Sequence, residues 1–310
     1  MSFDVDDNEK SAFPFDILGK APGLQSVGIG KCSNVEMFQP QNSSNSKQEI
    51  LGQLKKLILY DVSKLISIGL EESVLNTAYE KLHELNVFCC DDMTKLFHFP
   101  SEVSFSCLKI LLVHYCSRLE YLFTSSMAIE LKQLEKITVN CCESITKIVE
   151  NEQEGITSQG IKFERLYWIE LGSLSNLECF YSGNDTLQLP SLIQVEIWEC
   201  PKMEVFSGGE IIANSFRGIQ TSFNSHDELV FHNDVKDSVK RVFLLQVGTS
   251  TQSINYEFKF CMNFMSSKYW VYNTSPNNHE SNILLIFYGN ICFYHYCYSL
   301  IDLVHRFTQN

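Results

Sequence analysis

The side chains of this chain that could support metal or redox chemistry are its cysteines, which number 12 among 310 residues. A metal site needs several ligands at short spacing, and the nearest candidate is Cys292, His295 and Cys297, which does not make a complete ligand set. The adjacent pairs Cys89-Cys90 and Cys141-Cys142 each place one cysteine at an apolar position of the pattern described below. We therefore predict reduced thiols packed as small apolar side chains, with no metal and no cofactor.

Catalytic groups are not brought together by the sequence. His114 lies beside Tyr115, but no nucleophile and no orienting carboxylate is expected near it, so it is predicted to be a contact residue. The segment Gly28–Ser33 approaches a phosphate-binding loop but lacks its first glycine. The acidic pair Asp91-Asp92 is expected in a solvated turn. These observations predict that the protein is not an enzyme.

The charge of the chain argues against one class of partner. It carries 37 acidic and 24 basic residues, a formal net charge of −13, whereas nucleic-acid binders concentrate Lys and Arg. No secretory signal is recognisable at the N-terminus, which predicts a cytoplasmic protein. Residues 281–301 contain no charged side chain, but their many polar groups disfavour a membrane span. We predict a protein partner, no nucleic acid and no membrane association.

The elements that position these residues are internal repeats. The pattern L-x-x-(L/I/V)-x-(L/I/V)-x-x-(C/V/L)-x-x-(L/I/V/M) is typical of leucine-rich repeats and recurs every 26 to 32 residues. Its copies begin at Leu24, Leu54, Leu82, Leu108, Leu134, Leu166 and Leu192. Because one unit cannot bury its apolar side alone, the units must stack and share a core. This predicts an α/β solenoid, a horseshoe with a parallel β-sheet on its concave face and an irregular or short helical convex side.

The repeats also predict the domain organisation. Residues 24–215 form the solenoid, and residues 1–23 are a partial preceding repeat or a flexible N-terminus. A degenerate terminal repeat is expected at 216–246. Periodicity is lost after it, so residues 247–310 are expected to be a poorly folded tail.

Residues between the buried strand positions should face the concave side, where large apolar side chains serve as interface anchors. One predicted patch surrounds the aromatic residues of the early repeats, and a second surrounds two tryptophans and their acidic neighbours, which would suit a basic partner. The predicted contact residues are Ile58, Tyr60, Phe88, Ile110, Leu112, His114, Tyr115, Trp168, Glu170, Glu196 and Trp198. Packing of these residues against each other, or against a further domain of a longer parent protein, remains the alternative.

Three segments resemble the C-terminal repeats of plant intracellular disease resistance proteins of the coiled-coil nucleotide-binding leucine-rich-repeat class. They are Cys116–Ser126 (CSRLEYLFTSS), Leu177–Gly183 (LECFYSG) and Leu189–Phe206 (LPSLIQVEIWECPKMEVF). The resemblance covers roughly residues 13–246. It implies a role in defence: binding a pathogen effector or a modified host protein, or holding a nucleotide-binding domain in cis or in trans. That class also contains a phosphate-binding loop, which is not found here, so nucleotide hydrolysis is not expected.

An F-box leucine-rich-repeat substrate receptor of a ubiquitin ligase is the alternative, because such proteins also carry Cys at the ninth position of the repeat. Their repeats usually continue with an Ile-Thr-Asp-type turn. Here the corresponding segments read Thr94–Phe97 (TKLF) and Glu120–Phe123 (EYLF). The immune-receptor interpretation is therefore preferred.

Overall fold

A computed structural model describes residues 25–30, 54–62, 64–68, 79–97, 105–152, 160–221, 229–230, 234–248 and 283–287. The first predicted repeat leucine, Leu24, lies outside these residues, as do Cys32 and the tail cluster Cys292, His295 and Cys297.

The fold is built around a ten-stranded sheet, in which each of the seven repeats contributes one strand and three further strands lie at the edges. Its strands are β1 (Ser26–Gly30), β2 (Lys56–Tyr60), β3 (Glu84–Phe88), β4 (Ile110–His114), β6 (Lys136–Asn140), β9 (Trp168–Gly172), β12 (Gln194–Trp198), β14 (Gly218–Gln220), β15 (Leu229–Val230) and β16 (Ile283–Phe287). Neighbours are parallel from β16 and β1 through β14, and β15 closes the far edge antiparallel to β14. The predicted solenoid with a parallel sheet is confirmed.

Alternation along each strand divides the sheet into an inner and an outer surface. In β2, Leu57 and Leu59 are fully buried, whereas Lys56, Ile58 and Tyr60 are half-buried. The buried positions of successive strands pair in register, so their side chains form continuous apolar rows across the repeats. Burying each such side chain contributes roughly 1.5–3 kcal/mol, which explains why the repeats must stack.

A left-handed turn ends six strands of the central sheet. The residue after the strand has a φ between 50° and 57° in β2, β3, β4, β6, β9 and β12, and these residues are Asp61, Cys89, Tyr115, Cys141, Ser173 and Glu199. None of them is glycine, although L-residues are disfavoured in this region. In five of these six turns, all but that of Glu199, the N–H of this residue donates to the last residue of the neighbouring strand: the N–H of Tyr115, for example, donates to the carbonyl oxygen of Asn140 at 3.0 Å.

The turn points the next residue into the core, where cysteine predominates. We call Cys90, Cys116, Cys142 and Cys200 the ladder cysteines; all are buried free thiols. Each donates its thiol hydrogen to the carbonyl oxygen two residues earlier, at 3.3 Å in Cys200 and 3.4 Å in Cys142. A small thiol thus fills the narrow space behind the turn and caps the last carbonyl of the strand.

The convex side consists mainly of short parallel strands. One sheet contains β5 (Phe123–Thr124), β7 (Lys147–Glu150) and β10 (Cys179–Tyr181); another contains β8 (Ile161–Lys162), β11 (Leu187–Gln188) and β13 (Ile211–Ile212). A single-turn helix, α1 (Ser125–Glu130), accompanies the first sheet. Buried phenylalanines fill the space beneath, as in the stacked pair Phe180 and Phe206, whose ring centroids are 4.7 Å apart.

Both ends of the stack carry additional elements. At the C-terminal end, helix α2 (Val235–Gly248) buries Val235, Val239 and Val242 along one face. Asp234 caps it, because its carboxylate accepts hydrogen bonds from the N–H groups of residues 236 and 237. At the N-terminal end, β16 pairs in parallel with β1 over five residues. No helix in the described part of the chain is long and apolar enough to cross a membrane.

Candidate protein-binding surface

The strand register arranges the concave face in three columns, formed by the first, third and fifth residues of each strand from β2 to β12. The first column is Lys56, Glu84, Ile110, Lys136, Trp168 and Gln194. The middle column is Ile58, Asn86, Leu112, Thr138, Glu170 and Glu196. The last column is Tyr60, Phe88, His114, Asn140, Gly172 and Trp198. All the predicted contact residues except Tyr115 lie in these columns. Tyr115 occupies the left-handed turn after β4.

Five apolar residues of the first predicted group lie on β2, β3 and β4, where Asn86 stands between Ile58 and Leu112 in the middle column. We use "apolar patch" for Ile58, Tyr60, Phe88, Ile110 and Leu112, all half-buried. Burial, followed by the neighbouring Cys89 and Asp61, raises the pKa of Tyr60 well above its ordinary value. Its hydroxyl, protonated at neutral pH like that of any tyrosine, can donate a hydrogen bond.

His114 continues the last column beyond Phe88, with the two ring centroids 5.3 Å apart. Burial lowers its pKa to about 4, and the nearby charges of Glu170 and Lys136 act in opposite directions. The imidazole is therefore neutral at physiological pH. Its Nε2 atom is buried and has no hydrogen-bond partner among the described residues.

A polar strand, β6, separates the apolar patch from the tryptophans, and its side chains converge on Glu170. Thr138 and Asn140 donate to the carboxylate at 3.3 Å and 3.1 Å, and the ammonium group of Lys136 lies 3.7 Å from it. Lys136 also lies over the ring of Trp168, 5.1 Å from its centroid. Glu170 is thus already surrounded by donors of its own chain.

The other acidic neighbours of the tryptophans differ in their surroundings. Burial and the negative charge of Glu170 raise the pKa of Glu196, while Gln194 donates to its carboxylate at 3.2 Å. Glu199 lies in the turn and accepts a 2.6 Å hydrogen bond from the hydroxyl of Ser173. Glu196 is therefore less compensated by its own chain than Glu170, which pairs with Lys136.

The two tryptophans lie on adjacent strands but at opposite ends of them. Trp198 covers Gly172, where an added Cβ would come within 2.1 Å of the indole ring. The indole nitrogen of Trp168 is buried and has no hydrogen-bond partner in the described part of the chain. Both rings are half-buried, and each leaves part of its surface for contact.

Sequence reasoning did not select Asn86 and Asn140, whose side chains belong to the same face. Their amide nitrogens donate to Glu84 at 2.9 Å and to Glu170 at 3.1 Å. Because a carboxylate only accepts, the amide nitrogens must face these carboxylates, which fixes the orientation of both amides. Both amide oxygens are buried and lack a partner among the described residues. The signal in the sequence that could have identified them is an asparagine at an outward-facing strand position.

The groups considered for catalysis have structural partners. Asp91 accepts hydrogen bonds from the backbone and side chain of Ser117, and Asp92 pairs with Arg118 at 3.2 Å. These contacts tie one turn to the next. In the described ranges, no three His, Cys, Asp or Glu side chains are grouped as a metal ion would require.

Comparison with known proteins gives one match. The family model of plant disease resistance protein RPS2-like leucine-rich repeats matches residues 98–208. No curated protein and no solved structure matches the chain. The matched segment spans the strands from β4 to β12, with their turns and ladder cysteines. Residues 98–208 of this chain are therefore similar to the leucine-rich repeats of RPS2-like plant disease resistance proteins.

Proposed function

We propose that this repeat stack is the recognition module of a plant intracellular immune receptor, and that its concave face binds a pathogen effector or a host protein altered by one. The observation that carries the proposal is the apolar patch. It presents aromatic and aliphatic side chains, half-buried, on a sheet whose strands pair in uninterrupted register. A rigid surface of this composition supplies anchor residues without an ordering cost.

The partner is a folded protein or a peptide segment, and the module itself has no catalytic role. The family match supports this, because leucine-rich repeats of resistance proteins serve as protein-interaction modules. The apolar patch would take apolar side chains of the partner. The neighbouring polar side chains Asn86, His114 and Asn140, on β3, β4 and β6, would form hydrogen bonds with the partner. The second possible partner is a nucleotide-binding domain, in cis or in trans, which would bind through the same apolar and hydrogen-bonding contacts.

We place the module in the cytoplasm. The ladder cysteines are free thiols packed in the core, an arrangement suited to a reducing compartment. Fusion to a fluorescent protein in leaf cells, followed by fractionation, tests this. Recovery of the chain in the secreted or membrane fraction would contradict it.

The binding proposal is tested with a Tyr60→Ser, Phe88→Ser double variant. A two-hybrid screen against secreted pathogen proteins first identifies a partner, and calorimetry then measures its affinity for the wild-type chain and the variant. We expect the affinity to fall by more than about tenfold, as for loss of interface anchors. The matched control is Ile66→Ser with Val205→Ser, which removes two apolar side chains that are 62% and 50% exposed and lie outside the strands of the concave sheet.

Two outcomes separate the possible partners. If the double variant keeps its circular dichroism spectrum and also its affinity, the concave face is not the binding surface. If it loses affinity for a co-expressed nucleotide-binding domain but not for any effector, the patch holds the receptor together and does not sense the pathogen.

A further inference from the structure

A second surface, distinct from the concave face, lies along the rim where the strands begin. A backbone ladder continues one residue ahead of each strand: the N–H of His83 donates to the carbonyl oxygen of Lys55 at 2.7 Å, and that of Lys109 to His83 at 2.8 Å. The same ladder runs through Glu135, Tyr167, Ile193 and Arg217. These side chains therefore stand next to one another in fixed order.

Pairs of hydrogen bonds that share one carbonyl oxygen hold this row just ahead of the strands. The carbonyl oxygen of Lys55 accepts from both His83 and Glu84, and that of Tyr167 accepts from both Ile193 and Gln194. The register between neighbouring strands stays one to one, with Lys56 opposite Glu84 and Trp168 opposite Gln194. Leu82 and Leu192 just before the row remain buried, while Lys55 and Ile193 are exposed.

The rim is basic although the chain is acidic. At the first and third positions before the strands, the described residues from β2 to β14 include five cations and one carboxylate, Glu135, which pairs with Lys109 at 3.3 Å. The cations are Lys55, Lys81, Lys109, Arg165 and Arg217. This local excess of positive charge contrasts with a net charge of −13 for the whole chain.

The C-terminal part of the rim contains a groove with a volume of about 650 Å³. Arg165 and Arg217 line it together with Tyr167 and Ile193, whose side chains are 40% and 37% exposed. Glu135, the partner of Lys109, also lines the groove. Neither arginine makes an ion pair within the part of the chain that the structure describes. The hydroxyls of the two lining serines, residues 191 and 215, donate to backbone carbonyls and hold the groove floor.

We propose that this rim binds an acidic polypeptide segment, with an apolar side chain of that segment against Tyr167 and Ile193 and its carboxylates on Arg165 and Arg217. Guanidinium groups bind carboxylates in a planar, bidentate geometry. The alternation of apolar and cationic side chains matches a segment in which hydrophobic and acidic residues alternate.

The test uses the full chain and a fluorescein-labelled peptide of alternating aspartate and leucine, with binding measured by fluorescence anisotropy. The Arg165→Glu, Arg217→Glu double variant should bind at least about tenfold more weakly, and high salt should weaken the wild type. Tyr167→Ser should weaken binding without changing the salt dependence, because it removes no charge. Lys95→Glu with Lys202→Glu, the same charge change on exposed residues that follow the strand-ending turns, is the matched control.

Three results would overturn the proposal. The peptide could fail to bind the wild-type chain, or the control could lose as much affinity as the arginine variant, which would indicate only a general charge effect. A single-stranded oligonucleotide of equal length could bind more tightly than the peptide, and the rim would then be a nucleic-acid surface. Because the apolar patch is unchanged in these variants, its own binding is measured separately.

Discussion

The protonation of His114 measures directly how far water is excluded from the concave face around this ring. The ring lies between Phe88 and the polar strand β6, and burial lowers its pKa from 6.5 to about 4. We expect His114→Phe, which keeps an aromatic ring against Phe88, to reduce the loss of stability on acidification. The charged groups facing the ring, Glu170 and Lys136, are unchanged in the variant.

The sign and size of the effect follow from linkage. Between the two pKa values the unfolded chain binds a proton that the folded chain does not, so the stability contribution is complete above 6.5. It decreases as the pH falls through 6.5 and levels off near 4, the pKa of the folded state. The full shift corresponds to at most about 3 kcal/mol, and about 2 kcal/mol is expected for a partly exposed ring.

The assay is urea denaturation of the wild type and the variant at several values between about pH 7 and pH 4, with the difference taken at each pH. Contributions of carboxylates present in both proteins cancel in this difference. His83→Phe, at the start of β3, serves as the matched loss of an imidazole outside the concave columns. Parallel stability curves for the wild type and His114→Phe would refute the reasoning, because they would show that the ring is solvated.

Three further predictions concern packing. Gly172→Val places a side chain within 2.1 Å of the Trp198 ring, so we expect a loss of about 1–3 kcal/mol in urea denaturation and a shift in tryptophan emission; an unchanged emission spectrum would contradict it. The ladder cysteines should not react with Ellman's reagent at neutral pH until urea unfolds the chain, since burial raises the pKa of Cys200, for example, to about 12. Labelling of these thiols in the native protein, located by mass spectrometry, would refute this. A chain ending at residue 250 lacks β16, so the amides of β1 should exchange hydrogen faster while those of β9 do not change; equal exchange of β1 in both chains would show that β16 does not protect that edge.

The repeat pattern carried most of the information about the fold. Its apolar positions have a fixed spacing, and a unit with one apolar side can be buried only by stacking on copies of itself. The parallel sheet and its register could therefore be read from the alignment of Leu82, Leu108 and Leu134, and the structure confirms them. The same alignment identified which residues face outward.

The turns show where local sequence was insufficient. Glycine or asparagine is the usual signal for a left-handed residue, yet here Asp61, Cys89, Tyr115, Cys141, Ser173 and Glu199 adopt it. The conformation is imposed by hydrogen bonds from the neighbouring repeat, as between the N–H of Cys141 and the carbonyl oxygen of Gly172 at 2.9 Å. No composition rule applied to one turn could have indicated this.

On the concave surface, too, some properties follow from the sequence and others only from the stacked repeats. The sequence determined that Glu170 faces outward next to Trp168, because this depends only on alternation within one strand. Whether its charge is available to a partner depends on Thr138 and Asn140, about thirty residues earlier, which donate to it across the sheet.

Only the tertiary structure decided which polar side chains of the concave face find hydrogen-bond partners. The same holds for the exclusion of water around His114 and for the basic rim ahead of the strands. The sequence by itself determined the repeat, the core and the outward columns, because a period in apolar residues is a property of the chain. Hydrogen bonding, charge pairing and solvent exposure are properties of neighbours in space, and they exist only once the repeats are stacked.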